Sequence, residues 1–162
     1  MDLLGIDVGG TGIKGAIIDT DSGQLISERK RLSTPRPANP RLIIETIVEL
    51  IQFFDWKKEI GCGFPAVTQR GIIRTASNID KQWIGLNAAQ LIAEASGCPT
   101  YLINDADAAG EAEMAFGSGR GNKGNLIFFT VGTGIGSALF YQGNLYPNTE
   151  LGFIKIKGRY GE

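Results

Sequence analysis

The chain contains no histidine. That removes Ser-His-Asp and Cys-His catalysis, His-based zinc sites and phosphohistidine chemistry together. A general base must then be a carboxylate, a lysine or a tyrosine. Two carboxylates stand where such chemistry is useful: Asp105, in the run Asn104-Asp105-Ala106-Asp107, and Asp7, just ahead of Gly9-Gly10-Thr11-Gly12. The first run lies where an apolar segment gives way to an alanine-rich one. It reads as a strand end before a helix, a place where open α/β sheets bind ligands. Asn and Asp are equally suited to capping that helix, and Asp107 to complementing its dipole, so spacing alone leaves both roles open. If a phosphoryl group is transferred to a hydroxyl, Asp105 is the best-placed acceptor of the hydroxyl proton. Asp7 suits a position near a magnesium ion that neutralises phosphate charge, or else a buried carboxylate hydrogen-bonded to the turn backbone.

Glycine is the compositional outlier, 23 of 162 residues, about twice the usual share of ~7%. Gly10-Thr11-Gly12-Ile13-Lys14-Gly15 matches the dinucleotide-binding pattern, but that site needs a helix directly after the turn. The following Ala16-Ile17-Ile18-Asp19-Thr20 is too short and too β-branched to supply one. A P-loop, with its adjacent Gly-Lys-Ser/Thr, does not occur. A glycine hairpin still suits phosphate, because missing Cβ atoms let backbone N–H groups approach an anion and a threonine hydroxyl adds a donor. Gly9, Gly10, Thr11, Gly12 and Lys14 are candidate phosphate ligands on this ground, and Gly132, Thr133 and Gly134 form a second set. Either run could be a plain wide hairpin turn. Two of them, each opening a similar motif, can grip one phosphate chain from both sides.

These turns need elements to hold them. Residues 3–8, 13–20 and 24–33 read as three antiparallel strands in a meander, with a turn at Asp21-Ser22-Gly23. A proline-stiffened loop, 34–40, precedes a helix marked by Leu42, Ile43, Ile47, Leu50, Ile51 and Phe54. A strand is expected at 60–64, a small β pair around 71–75, a helix over 86–95 closed by Gly97, a strand at 100–103 and a helix over 106–116. The run 117–124 is glycine-rich and polar and reads as a boundary between lobes. The pattern then restarts, with strands at 126–131 and 137–141 around the second glycine turn, which looks like an internal duplication of a hairpin. Phe153, Ile154 and Ile156 suggest one further strand.

Composition excludes several function classes. Sixteen basic against seventeen acidic residues leave a net charge of −1, too little for the positive field of nonspecific nucleic-acid binding. No apolar run approaches the ~20 residues of a membrane span, and no basic-then-apolar leader follows Met1. A soluble, cytoplasmic protein without nucleic-acid or membrane partners is expected. Cys62 and Cys98 are too few and too far apart for a metal site or disulfide framework and read as buried free thiols.

Three motifs together resemble the ROK family of sugar kinases: Asp7-Val8-Gly9-Gly10-Thr11-Gly12-Ile13-Lys14-Gly15 as its first phosphate motif, Asn104-Asp105-Ala106-Asp107-Ala108-Ala109-Gly110 as its sugar and base motif, and Thr130-Val131-Gly132-Thr133-Gly134-Ile135-Gly136-Ser137 as its second phosphate motif. Ser33-Thr34-Pro35-Arg36-Pro37, Asn78-Ile79-Asp80 with Trp83-Ile84-Gly85, and Pro147-Asn148-Thr149-Glu150-Leu151-Gly152 are similar to the family's polyphosphate glucokinases. The resemblance implies an α/β fold: an actin-like ATPase, ribonuclease H-type lobe over residues 1–117, then the opening strands of a second, incomplete lobe over 118–162. It implies phosphorylation of the glucose 6-hydroxyl from polyphosphate or ATP with Mg²⁺. Polyphosphate is favoured because the phosphate turns are present while no nucleobase pocket can be traced. By the same resemblance Asp105 is the base, Asn78, Asn104, Asp105 and Glu150 hydrogen-bond the sugar, and Thr11, Lys14, Thr133 and Gly134 hold phosphate. The chain departs from the family at Phe153, where a sugar-contacting histidine is usual, and at Ala66, where a glycine is usual. It also stops before the rest of the second lobe, which in the family carries the adenosine pocket and a dimer surface, so a degenerate homologue that binds without turnover stands as the alternative.

Overall fold

Leu4, Ile6 and Val8 alternate along the first strand with Leu3, Gly5 and Asp7, and this period of two sorts them onto opposite faces of a sheet. The apolar set is buried; Asp7 is exposed. The computed structural model describes residues 1–132, 134–156 and 159–160. They pack as two units, Met1–Asp105 and Ala106–Glu162.

The first unit is built on a five-stranded sheet. Its strands are β1 (Asp2–Val8), β2 (Gly12–Asp19), β3 (Lys30–Ser33), β4 (Ile60–Phe64) and, after a small hairpin of β5 (Thr68–Gln69) and β6 (Ile72–Ile73), β7 (Thr100–Asn104). The order is β3-β2-β1-β4-β7. The β1–β2 and β2–β3 pairs are antiparallel, and the β1–β4 and β4–β7 pairs are parallel. This mixed sheet is the expected ribonuclease H-type lobe of the actin-like fold.

Two helices supply the crossovers. α1 (Pro40–Phe53) starts with the Asn39 side chain accepting from Leu42 N–H and proline in its first turn. α2 (Ala88–Ser96) is capped by Asn87 and ends at Gly97, whose φ of 74° is the left-handed conformation glycine adopts without a Cβ penalty. Ile43, Ile47, Leu50 and Ile51 from α1 and Ile92 from α2 join Leu4, Ile6, Val8, Ile13, Ile60 and Phe64 in one core. Phe64 meets Trp83 edge to face at 4.9 Å. Cys62 and Cys98 are both buried and free, as the sequence suggested.

Two details differ from expectation. The third strand covers only Lys30–Ser33, because over the preceding residues the Ser27 hydroxyl, not a backbone group, accepts from Ile17 N–H at 2.8 Å. The β pair near 71–75 sits slightly earlier, at Thr68–Gln69 and Ile72–Ile73. Arg70 and Gly71, with φ of 52° and 79°, form the tight turn between them.

The second unit holds α3 (Asp105–Phe116) from Ala106 onward and a three-stranded antiparallel sheet in the order β10-β9-β8. Its strands are β8 (Leu126–Val131), β9 (Ile135–Tyr141) and β10 (Asn144–Tyr146). The compact unit that includes these strands begins at Ala106, ahead of the glycine-rich run after 117. The reason is the small-residue face of α3. A Cβ on Gly110 would lie 2.5 Å from the Ala138 Cβ and 2.9 Å from Phe140, so the helix closes directly onto β9. Phe128 and Phe140 complete that core edge to face. Beyond it, residues 151–153 form a 3₁₀ turn, not the start of a strand, and β11 (Lys155–Ile156) pairs with β12 (Arg159–Tyr160).

Candidate functional site

In the first unit the register alone gathers most of the expected residues. β1, β4 and β7 are parallel, so their carboxyl ends share one edge of the sheet. The cross-strand row there runs Arg31–Lys14–Asp7–Gly63–Ile103. One step beyond it lie the first glycine turn, Phe64 and Asn104, and then Asp105. Two strand spacings separate β1 from β7, about 10 Å.

The first turn is held from several sides. Gly9 N–H donates to the Gly12 carbonyl at 3.0 Å, and a Cβ on Gly9 would fall 2.9 Å from that oxygen. The Thr34 hydroxyl donates to the Gly9 carbonyl at 2.6 Å. Arg31 Nη2 donates to the Thr11 carbonyl at 2.8 Å, and Arg36 Nη2 to the Gly10 carbonyl at 3.2 Å. Gly10 is different: no protein atom lies within 4 Å of where its Cβ would be, and its φ is not left-handed. Neither packing nor backbone strain calls for glycine there, whereas close approach of an anion to the backbone would.

Asp7 is not the buried, turn-bonded carboxylate that one expectation allowed. Its side chain is half exposed and pairs with Lys14, Nζ to Oδ2 at 3.2 Å. Among the described residues no group of three His, Cys, Asp or Glu side chains could hold a metal by itself.

Asn104 is buried and donates from Nδ2 to the Ala66 carbonyl at 3.2 Å, which ties the end of β7 to the loop after β4. Ala66 itself is 3% exposed and belongs to the core, so its extra methyl group is taken up by packing. Asp105 follows as the half-buried first residue of α3. Asn78 is exposed on the loop ahead of the 3₁₀ turn at residues 81–83.

The remaining candidates belong to the second unit. Val131 pairs with Ile135, and the turn between them has Gly132 N–H donating to the Gly134 carbonyl at 3.0 Å. Gly132, like Gly10, has nothing within 4 Å of its Cβ position. Thr133 lies outside the described residues. Glu150 is half-buried in a segment tied down on both sides. Asp107 Oδ2 accepts from Asn148 N–H at 2.7 Å, and Ser137 Oγ accepts from Leu151 N–H at 3.0 Å while donating to the Thr149 carbonyl. Burial lifts the Asp107 carboxyl above its ordinary value, and the Asn148 N–H partly offsets this. Asp107 thus braces the Glu150 segment and does more than complement a helix dipole.

Sequence reasoning missed Arg31 as a neighbour of the turn. Only the β2–β3 register, with Lys14 opposite Arg31, brings it there. Arg36 had a signal, since it sits in the Ser33-to-Pro37 motif, but no role was attached to it.

Residues 3–156 match the ROK family. The chain is similar to the polyphosphate glucokinase of Mycobacterium tuberculosis, 49% identical over 160 residues, covering 98% of this chain and 60% of that protein. Among solved structures it is similar to the inorganic polyphosphate/ATP-glucomannokinase of Arthrobacter sp. strain KM, with a TM-score of 0.96 and 42% identity over 99% of this chain and 66% of that one. It is also similar to a ROK family glucokinase from Streptomyces griseus in complex with glucose and AMPPNP, with a TM-score of 0.85 and 26% identity over 96% of this chain and 51% of that one. The chain spans about 60% of the length of the first of these relatives.

Proposed function

Because the chain belongs to the ROK family, we propose that its residues serve glucokinase-type phosphotransfer, from inorganic polyphosphate or ATP to the 6-hydroxyl of glucose. The observation that carries this reading is the shared strand edge in the first unit, where the β1–β2 and β1–β4–β7 registers set the first glycine turn, Lys14, Asn104 and Asp105 along one edge. Relatives named polyphosphate glucokinase and polyphosphate/ATP-glucomannokinase support the choice of acceptor and donors.

In this mechanism the Asp105 carboxylate takes the proton of the 6-hydroxyl as its oxygen attacks the donor's terminal phosphorus. The bond from that phosphorus to its bridging oxygen breaks, leaving glucose 6-phosphate and a donor one phosphate shorter. Thr11, Lys14 and the backbone N–H groups of Gly9, Gly10 and Gly12 hold the phosphate being moved, and Gly132, Thr133 and Gly134 hold phosphate in the second motif. Asn78, Asn104 and Glu150 bind sugar hydroxyls, each of which is costly to leave unpaired, about 1–3 kcal/mol. The exposed Asp7 carboxylate beside the turn fits Mg²⁺, which keeps several waters and needs only one or two carboxylates besides substrate phosphate. That ion would neutralise charge on the phosphates.

One observation favours a second reading. Phe153, in the 3₁₀ turn beside Glu150, has a ring that cannot hydrogen-bond a sugar where the family resemblance implies histidine. A homologue that binds sugar or phosphate without turnover would follow.

A coupled assay for glucose 6-phosphate with polyphosphate or ATP separates the two. Turnover that falls by about 10²–10⁴-fold in Asp105→Asn supports the base assignment. Glucose binding without turnover in the parent chain supports the second reading, and full activity in Asp105→Asn removes Asp105 from its role.

A further inference from the structure

The carbonyl side of the first glycine turn is covered by guanidinium groups. Arg31 Nη2 reaches the Thr11 carbonyl at 2.8 Å and lies 3.5 Å from the Thr11 hydroxyl; Arg36 Nη2 reaches the adjacent Gly10 carbonyl at 3.2 Å. Each arginine is exposed. A guanidinium carries five N–H donors, and among the described residues only Nη2 of each makes a hydrogen bond. Lys14 stands directly between Asp7 and Arg31 in the cross-strand row. Three cations therefore surround a four-residue turn against one carboxylate, in a chain whose net charge is −1. A single phosphate held by the turn backbone and Lys14 does not need this surplus. Planar guanidiniums with unused N–H groups suit further phosphate oxygens, which they bind in bidentate fashion.

We propose that Arg31 and Arg36 select the donor: they hold phosphates of an inorganic polyphosphate chain next to the one the turn presents for transfer. The inference rests on the phosphotransfer reading above and adds a residue basis for donor choice. The two arginines touch the turn by main-chain carbonyls, so they read the polyanion and leave the sugar side and Asp105 alone. Their contribution belongs in donor affinity, not in the chemical step. It is also salt-sensitive, because exposed charges are screened over about 8–10 Å at physiological ionic strength.

The test uses the whole chain and a medium-length inorganic polyphosphate, titrated by calorimetry at low and high salt, with ATP as the comparison. Arg31→Gln/Arg36→Gln is expected to weaken polyphosphate binding by about tenfold or more and to flatten its salt dependence, with ATP binding changed by less than about threefold. Arg31→Lys/Arg36→Lys, which keeps charge but loses the planar fork, falls between, and it carries the test should the glutamine pair fail to fold. Unchanged polyphosphate affinity in the double variants, equal loss for both donors, or no polyphosphate binding by the parent chain would each overturn the proposal. Failure of the underlying reading looks different: it appears as undiminished turnover in Asp105→Asn, whatever the arginine variants do.

Discussion

Arg31 fills the space above Gly12. A methyl group built on Gly12 would stand 2.6 Å from Arg31 Cζ and 2.7 Å from Nη2, so the absent side chain at Gly12 is what lets the guanidinium lie against the turn and reach the Thr11 carbonyl. Gly12 is thus a glycine for the sake of an arginine. Gly12→Ala has a specific consequence, because the atoms it meets are the far end of a flexible side chain that can swing into solvent. Stability should fall by less than about 1 kcal/mol. Polyphosphate affinity should fall about as far as in Arg31→Gln, which calorimetry on the two variants checks directly. A large drop in melting temperature with unchanged affinity would mean that the turn, not the arginine, needs this glycine.

Asp107 sets a pH dependence that runs against the usual carboxylate pattern. Burial raises its folded-state pKa above the unfolded value, with the Asn148 N–H pulling partly back. The native state then holds the proton more tightly than the unfolded chain does. The residue's contribution is greatest below the unfolded aspartate value and is lost as pH rises through the elevated folded value. Asp107→Asn keeps an oxygen to accept from Asn148 and removes the charge. The difference in unfolding free energy between parent and variant should shift in the variant's favour as pH climbs from acid to neutral, measured by denaturant titration at several pH values.

Cys62 and Cys98 should be silent thiols. Cys62 is 1% exposed and Cys98 2%. Burial, with the nearby Asp7 charge adding to it, pushes the Cys62 thiol up to about 12, so almost no thiolate exists at pH 8. Neither residue should react with an alkylating or disulfide reagent in the native chain on the time scale of minutes, and both should react once denaturant is added. Rapid native labelling of Cys62, read by mass spectrometry, would show that the sheet opens at β4.

The sequence made legible whatever depends on local pattern. Leu4, Ile6 and Val8 alternate cleanly, Leu42 to Phe54 recur at helical spacing, and Gly97 marks a helix end; each became the element expected, although Asn39 and Pro40, read as loop, cap and open the helix. The segment 24–33 misled because its extended character is satisfied for part of its length by a side chain, the Ser27 hydroxyl, in place of a strand. Asp105 and the glycine turn could be named from residue types and motif resemblance, yet their sharing one sheet edge follows only from the parallel register of β1, β4 and β7. Arg31 was invisible for the same reason: sixteen basic residues are scattered along the chain, and nothing local distinguishes the one that lands opposite Lys14. The packing of α3 onto β9 was hidden too, since it turns on which strand the small residues of α3 meet.

Ser137 offers the sharpest test of how Glu150 is held. It is 2% exposed, and its hydroxyl accepts from Leu151 N–H at 3.0 Å while donating to the Thr149 carbonyl, so it clamps the backbone on both sides of Glu150. Ser137→Ala removes the hydroxyl but leaves Leu151 N–H donating to the Thr149 carbonyl at 3.1 Å, so the cost should be about 0.5–1.5 kcal/mol, and the segment gains freedom to move. If Glu150 binds a sugar hydroxyl, its displacement should weaken glucose binding by about tenfold and leave polyphosphate affinity within about twofold, because a single misplaced hydrogen bond to a polar ligand is worth roughly that much. Calorimetry with each ligand separates these effects from simple loss of folded protein, which would lower the apparent stoichiometry for both together. A variant that is destabilised yet binds glucose normally would detach Glu150 from sugar recognition and leave Ser137 as a purely structural clamp.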